Sequence, residues 1–293
     1  MKKLSMAITT AAVLGLGVVG IAPANAIRID FDSVNGTDGQ INQLDEGYIL
    51  KGDEWSDLGL NISVDTNKNG SGNKNVADDK RLTVYDTDMN KSGKDNDLRT
   101  GAPWGTDPQG NILIIQETWE GNNWQTDANG NYKTPDDDRQ GGKITFDFLE
   151  ADKQYIYENL KVGLVDIDGP ESAMITVFYT DEEGNHQQSN KTLKSQGHNT
   201  NPDITLLSNN EGENSMWEFM FDVEEEMKGL MSLDRLEIGY SGSGGVAYLE
   251  YDKIEKAIYG EEGNARVPEP SSALAMLALG AFGGGSILKR KQK

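Results

Sequence analysis

The chain has 293 residues and carries 27 basic against 48 acidic side chains, a net charge of −21 with histidine neutral. It contains no cysteine, which removes disulfides, cysteine-ligated metals and thiol catalysis. The acidic excess argues against nucleic-acid binding and attachment to anionic lipid, both of which need a positive surface. It suits a protein that binds divalent cations or stays soluble among other polymers.

The first 26 residues have the features of a secretory signal peptide. Lys2 and Lys3 precede an apolar stretch, and Ala24-Asn25-Ala26 then places small residues where a signal peptidase cuts. We predict cleavage after Ala26, with Ala24 and Ala26 as the cleavage-site residues and signal peptidase as a partner. A retained membrane anchor is the alternative.

The body, residues 27–260, predicts an all-β domain. Ten short runs alternate apolar and polar residues or are continuously apolar, and Gly, Asn and Asp separate them. The run I-L-I-I within residues 111–116 predicts a strand buried on both faces, and residues 224–231 predict a short helix or a loop. We therefore predict an antiparallel β-sandwich of jelly-roll type. The ten runs are 27–31, 58–64, 82–85, 111–116, 144–148, 160–167, 174–179, 217–221, 236–240 and 246–251.

Acidic loops between these strands carry the residue types of calcium sites. Asp86-x-Asp88-x-Asn90, with Asp97 at the twelfth place, copies the ligand spacing of an EF-hand-like loop, although Lys91 replaces the expected glycine. Calcium takes six to eight hard oxygen ligands, which clustered Asp and Asn supply. We therefore predict that Ca²⁺ stabilises the body.

Three partial copies of the same spacing begin at Asp65, Asp127 and Asp166. Each lacks at least one required residue, and Asp, Asn and Gly are also the residues from which turns are made. The alternative is that these acids cap turns and solvate loops.

Three tryptophans in or beside loops, Trp104, Trp119 and Trp124, are candidates for stacking on sugar rings, with packing as the alternative. Trp55 and Trp217 lie beside or within predicted strands, so we expect them in the core.

The sequence features that would indicate an enzyme are weaker than those that indicate a binding or structural protein. With 48 acids, close carboxylate pairs are expected by chance, so a glycosidase pair is not indicated by composition. His186 and His198 lie in polar, turn-like stretches and are expected to be solvated. The Gly-rich segment 239–245 precedes a strand, which favours a turn over a phosphate-binding loop.

The last 27 residues predict a segment that directs the protein to a membrane. Val267-Pro268-Glu269-Pro270 precedes an uncharged segment, residues 271–288, near the lower length limit for a transmembrane helix. The basic residues 289–293 should remain cytoplasmic, which places the body across the membrane. Residues 261–266 form the expected linker. Without the two end segments, 21 basic and 47 acidic residues remain, a net charge of −26.

This order of motif, apolar helix and basic cluster resembles a PEP-CTERM sorting signal, with Pro268, Glu269 and Pro270 as the matching positions. The resemblance implies an exosortase-like membrane protease that recognises the motif and removes the tail. It also implies a polysaccharide-producing bacterium and a protein bound for the cell surface or matrix. A plain single-pass anchor is the alternative.

The body resembles a group of uncharacterised exported PEP-CTERM proteins over about residues 84–168. This resemblance implies a jelly-roll-like fold and no particular reaction. Five matched acids are the candidate calcium ligands gathered in space: Asp86, Asp97, Glu117, Asp137 and Asp138. The segments that carry the resemblance are 84–87 (V-Y-D-T), 95–100 (D-N-D-L-R-T), 111–117 (N-I-L-I-I-Q-E), 135–138 (P-D-D-D), 141–148 (G-G-K-I-T-F-D-F) and 165–168 (V-D-I-D).

These features together predict a non-enzymatic exported protein of the cell surface or extracellular matrix, with a structural or adhesive role and polysaccharide as a candidate partner. A secreted carbohydrate-active enzyme on the same scaffold is the alternative function.

Overall fold

The computed structural model describes residues 25–35, 41–66, 81–88, 96–118, 125–149, 155–167, 172–194, 201–209, 211, 213–222, 226–227 and 230–255. Within these ranges the protein is all-β, with fourteen strands and two single-turn 3-10 helices, Ser56–Leu58 and Ala102–Trp104. None of the helical turns in this part of the chain has the length and apolar character needed to cross a bilayer. The strands are β1 (Asn25–Asp30), β2 (Ser33–Asn35), β3 (Ile41–Gln43), β4 (Leu60–Thr66), β5 (Leu82–Asp86), β6 (Asn111–Ile115), β7 (Gly142–Phe148), β8 (Tyr155–Val165), β9 (Ser172–Asp181), β10 (His186–Lys194), β11 (Ile204–Leu206), β12 (Met216–Phe221), β13 (Leu230–Tyr240) and β14 (Gly245–Glu255).

Two antiparallel sheets contain most of the strands, which confirms the predicted all-β antiparallel class. The seven-stranded sheet has the order β11-β12-β8-β14-β6-β5, and β1 also pairs with β14. The five-stranded sheet has the order β10-β9-β13-β7-β4, and β2 pairs with β3 in a small ribbon. β14 pairs with β8, with β6 through Gly245 and Val246, and with β1 through Tyr248–Lys253.

One hydrophobic core takes side chains from both sheets. Ile144, Phe146 and Phe148 of β7 alternate into it, as the period-two pattern of that strand predicts. Burying one side chain of this size stabilises the fold by about 1.5–3 kcal/mol. Trp55 and Trp217 are 4% and 3% exposed, so their predicted core positions are confirmed.

A second apolar cluster explains why β6 has no polar face. Leu113 and Ile115 belong to the main core, whereas Ile112 and Ile114 pack in a separate cluster with Tyr85, Val165 and Tyr248. Leu98 belongs to that second cluster and comes from the segment between β5 and β6. Leu98 therefore covers part of the outer face of the larger sheet, and the predicted burial of β6 on both faces is confirmed.

All ten predicted runs contain strand residues, and β2, β3, β10 and β11 are additional strands that the sequence did not predict. Ala26 lies in β1. The rest of the predicted signal peptide up to Ala24, the linker 261–266 and the tail with Pro268, Glu269 and Pro270 lie outside the described residues.

Candidate functional site

A cavity of about 670 Å³ opens where the turn after β1, the end of β5 and the segment before β6 meet. Four carboxylates line it, and its lining includes no lysine or arginine from the part of the chain that the structure describes. We call it the acidic pocket. Its volume falls in the range of about 300–1,000 Å³ that is usual for small-molecule sites. The four acids are Asp32, Asp45, Asp86 and Asp88.

One wall depends on a close approach between the turn after β1 and the start of β6. The backbone N–H of Asn111 donates to Asp32 Oδ1 at 2.8 Å, and Asn111 Nδ2 donates to the carbonyl of Leu44 at 2.9 Å. Gly110 has φ +67°, and a Cβ there would lie 2.4 Å from Asp32 Oδ1. Only glycine fits this position, because any side chain would displace the carboxylate.

The opposite wall is the end of β5. Asp86 Oδ1 accepts the backbone N–H of Asp88 at 2.8 Å, which orients the Asp86 carboxylate and caps the turn, as the alternative interpretation of these acids expected. Thr87 Oγ1 donates to the carbonyl of Gly110 at 2.8 Å and lies 2.8 Å from Thr100 Oγ1. The threonines tie the two walls together, and the carboxylates border the cavity between them.

Burial raises the pKa of Asp32, and the negative charges of Asp30 and Asp86 raise it further. The hydrogen bond from the Asn111 N–H acts in the opposite direction. The ionised pocket is therefore electrostatically unfavourable, and a bound cation or hydrogen-bond donor would relieve the repulsion.

Three of the predicted calcium ligands come together elsewhere, beside β6. Gln116 and Asp137 form an antiparallel bridge, and the Glu117 N–H donates to the carbonyl of Asp136 at 2.7 Å. This pairing brings Glu117, Asp137 and Asp138 to one place, all of them buried.

A guanidinium already supplies positive charge to that buried group. Arg81 is fully buried, forms an ion pair with Asp138, and donates from Nε to the carbonyl of Gln116 at 3.0 Å. Asp137 Oδ2 accepts the N–H of Gly244. Buried carboxylates need such partners, and for Asp137 and Asp138 the protein provides them from its own chain.

The predicted calcium ligands thus fall into separate groups. Asp86 and Asp88 line the acidic pocket, Asp97 lies in the turn 96–99, and Asn90 is outside the described residues. Across the ranges that the structure describes, no three His, Asp or Glu side chains converge closely enough to hold a metal ion. The carboxylate chemistry of the acidic pocket suits Ca²⁺, and calcium binding stays a prediction.

The loop that begins at Asp127 uses its carboxylate locally. Asp127 Oδ1 accepts the backbone N–H groups of Asn129 at 2.8 Å and Asn131 at 3.0 Å. This is the geometry of an Asx turn, so the side chain of Asp127 caps a turn as the alternative interpretation expected.

Trp104 lies in the 3-10 turn Ala102–Trp104, and Ala102 and Pro103 of the same turn line the acidic pocket. Its side chain is half-buried. The other two candidate stacking residues, Trp119 and Trp124, are outside the described residues.

Sequence reasoning missed Asp32, Asp45 and Asn111 as pocket residues. Asp32 and Asn111 are 79 positions apart, and their contact depends on β1 and β6 meeting the same strand, β14. The local signals were only a turn-like Asp-Phe-Asp-Ser at residues 30–33 and a polar residue at the start of an apolar strand.

Residues 266–291 match the family model of the PEP-CTERM protein-sorting motif. The chain therefore carries a PEP-CTERM sorting signal, which confirms the resemblance of its tail. No curated protein matches the chain. Among solved structures, one of TmCBM61 in complex with β-1,4-galactotriose is 9% identical and covers 72% of this chain and 95% of its own, at a TM-score of 0.22. That score is too low to indicate a shared fold.

Proposed function

We propose that this is an exported, non-enzymatic protein of the cell surface or extracellular matrix that an exosortase-like membrane protease processes at Pro268-Glu269-Pro270. The observation that carries the proposal is the match of residues 266–291 to the PEP-CTERM sorting motif. In the proposed route, signal peptidase cuts after Ala26 and residues 271–288 anchor the chain transiently in the inner membrane.

The body would be a jelly-roll-like β-sandwich that binds extracellular polysaccharide at the acidic pocket, with Ca²⁺ as a stabilising ion. Asp86 and Asp88 would be the calcium ligands of the pocket, assisted by Asp32. The support is a cavity of about 670 Å³ whose described lining residues include four carboxylates and no basic side chain. Carboxylate and amide oxygens both ligate calcium and accept hydrogen bonds from sugar hydroxyls.

The sorting step is tested by the intact mass of the surface form. We expect a mature protein that begins at Ile27 and lacks the residues after about Pro270. A Glu269→Ala variant should keep its tail and stay in the membrane fraction, whereas Glu262→Ala, outside the motif, should be processed normally. A full-length tail on the wild-type surface form would refute the exosortase proposal.

The calcium step is tested by thermal unfolding with excess CaCl₂ and with EGTA. An ion that binds only the folded state must stabilise it, by about 2.7 kcal/mol at a hundredfold excess over Kd. We expect the melting temperature to rise with calcium in the wild type and to be insensitive in Asp86→Asn/Asp88→Asn. Identical wild-type curves in CaCl₂ and EGTA would show that the body binds no calcium.

A carbohydrate-active enzyme is the second candidate, and one observation favours it. The pKa of Asp32 is raised by burial and by the neighbouring charges of Asp30 and Asp86, and a raised pKa is the pattern that lets one carboxyl act as a general acid beside another. A reducing-end assay on polysaccharide substrates separates the two functions. Release of reducing ends that Asp32→Asn abolishes would establish the enzyme and refute the binding protein.

A further inference from the structure

The outer face of the five-stranded sheet carries a second cavity, of about 490 Å³, far in sequence from the acidic pocket. We call it the sheet-face cavity. The five lining residues that matter for the argument are Asp147, Phe178, His186, Asp234 and Arg235. None of them was a candidate from the sequence.

The strand register places three of these side chains in one row. Arg235 of β13 is opposite Asp147 of β7 on one side and opposite Phe178 of β9 on the other. Residues directly opposite in antiparallel strands share a face, so all three point away from the core. The row continues to Asn61 of β4 and Gln188 of β10, and so crosses all five strands, roughly 19 Å at the usual strand spacing.

A β-bulge adds a second charge beside Arg235. Leu233 is opposite Tyr179 and Arg235 is opposite Phe178, so Asp234 is an extra residue between two regular pairs. Such bulges re-aim side chains and occur often beside functional sites. Consecutive residues of a regular strand point to opposite faces, and the bulge lets Asp234 and Arg235 border the same cavity.

Hydrogen bonds hold the carboxylate of Asp234 in place. Thr180 Oγ1 donates to Oδ2 and Ser232 Oγ donates to Oδ1, each at 2.8 Å. His186 Nδ1 lies 3.5 Å from Oδ2, and its side chain is 87% exposed, as the solvated position predicted for it requires. The acceptor is thus oriented before any ligand arrives, which lowers the entropic cost of binding.

Phe178 is a half-buried aromatic ring on a face where Met174 is the other apolar residue of the same strand. The guanidinium of Arg235 stacks on it with Cζ 4.2 Å from the ring centre, and the Arg235 side chain remains 41% exposed. Arg235 Nε lies 3.0 Å from Glu237 Oε1, so the pair and the stacking together fix the plane of the guanidinium. The exposed part of the guanidinium remains accessible to solvent.

We propose that the sheet-face cavity binds a neutral polysaccharide. The cavity combines two carboxylate acceptors, one guanidinium and one imidazole around an aromatic ring, so it offers charges of both signs. Hydroxyl-rich, uncharged sugars need donors and acceptors together with an apolar surface for their ring C–H groups. The acidic pocket offers four carboxylate acceptors and no guanidinium or ammonium donor among its described lining residues, so it suits an uncharged sugar less well. The inference rests on the proposed function only in taking polysaccharide as the ligand class.

The test is retardation of the exported chain in native gels that contain dextran, laminarin or galactan, with cationic chitosan as a comparison. We expect a neutral polysaccharide to retard the wild type. Phe178→Ala should weaken that binding by about tenfold through loss of the ring contact, and Phe178→Tyr should restore it. Met174→Ala, on the same strand and exposed face, is the matched control and should bind like the wild type.

The variants also separate the two proposals. If Asp86→Asn/Asp88→Asn binds neutral polysaccharide normally while Phe178→Ala does not, the sheet face is the site and the acidic pocket is not. If both variants lose binding, the sheet face is a site and the pocket adds contacts. Unchanged binding by Phe178→Ala, or no neutral polysaccharide bound by the wild type, would overturn the inference.

Discussion

Arg81 is the residue on which the buried acids beside β6 depend. It is fully buried, while Asp138, its partner, is 5% exposed. Arg81→Met would leave that carboxylate buried without its cation, and we expect a loss of about 3–5 kcal/mol in the free energy of unfolding. Urea denaturation measures the loss as a shift of the midpoint at constant slope.

Two further variants isolate the electrostatic cause. Arg81→Met/Asp138→Leu removes both charges and should recover much of the stability, because no unpaired charge stays buried. Lys143→Met breaks an ion pair with Glu237 at 3.2 Å in which the lysine is 39% exposed, and should cost less than about 1 kcal/mol. A loss below about 1 kcal/mol in Arg81→Met would contradict the structural role of the pair.

Asp32 should make stability depend on pH in the direction opposite to that of a salt-bridged acid. Its pKa is raised in the folded state, so the unfolded chain ionises first as pH rises. Wild-type stability is therefore fully present below the ordinary aspartate pKa and falls as pH rises through the raised value. Asp32→Asn has no carboxyl at this position and lacks this loss. Its free energy of unfolding, relative to that of the wild type, should therefore increase between the ordinary aspartate pKa and the raised pKa and stay constant above it. Parallel stability profiles for the two proteins would rule out the raised pKa.

The sequence correctly predicted the burial or hydrogen bonding of single residues where these depend on neighbours along the chain. The residues of Trp217-Glu-Phe-Met-Phe221 alternate in burial as the period of two requires, and Asp127 caps its turn. The partners of Asp138 and Asp32 could not be predicted in this way. Arg81 and Asn111 reach them across 57 and 79 positions, and such contacts depend on the strand order rather than on any local pattern.

At the scale of the element, β8 carries a glycine for a packing reason. Gly163 is opposite both Glu218 of β12 and Tyr248 of β14. A Cβ on Gly163 would lie 2.4 Å from the Tyr248 ring, so the ring crosses β8 directly above this residue. The tyrosine hydroxyl then donates to Glu218 Oε2 at 2.7 Å, and Arg28 stacks on the ring with Cζ 3.9 Å from its centre.

Gly163→Val should therefore displace the Tyr248 ring and cost about 1–3 kcal/mol, as overpacking usually does. Near-UV circular dichroism should show the change in the tyrosine environment. Gly239→Val is the matched control in a central strand of the other sheet, where the nearest atom to a new Cβ is 3.8 Å away. It should be neutral or stabilising, since valine favours strands. Equal losses in the two variants would show that the tyrosine packing is not the cause.

Among the elements, β10 is the longest of the four strands that sequence patterns missed. β10 is an edge strand in which only Lys191 and Leu193 are buried, so it shows no apolar alternation. Its Lys191 points inward to Asp203 and Glu226, at 2.9 and 2.7 Å. An inward-pointing charge protects an edge strand from pairing with another chain. Because that charge takes the place of an apolar residue, the strand lacks the alternating hydrophobic pattern by which strands are predicted.

At the scale of the whole molecule, the two proposed processing sites flank the described core without entering it. The buried hydrophobic residues extend from Ile29 to Tyr251. Cleavage after Ala26 would remove two residues of β1 and keep the pairs from Ile27 with Tyr251 to Asp30 with Tyr248. Cleavage near Pro270 falls beyond Glu255, where β14 ends.

Removal of the tail should therefore leave the stability of the body unchanged. A chain that ends at Glu255 keeps all fourteen strands and the whole described core, so we expect its melting temperature to stay within about 2 °C of the full-length value. Deleting residues 27–31 instead removes β1 together with the buried side chains of Ile29 and Phe31, and should cost about 3–6 kcal/mol if each contributes its usual burial energy. Differential scanning calorimetry of both deletions measures the contrast. A large destabilisation on loss of residues 256–293 would mean that the tail belongs to the folded body, which would contradict its proposed role as a removable sorting segment.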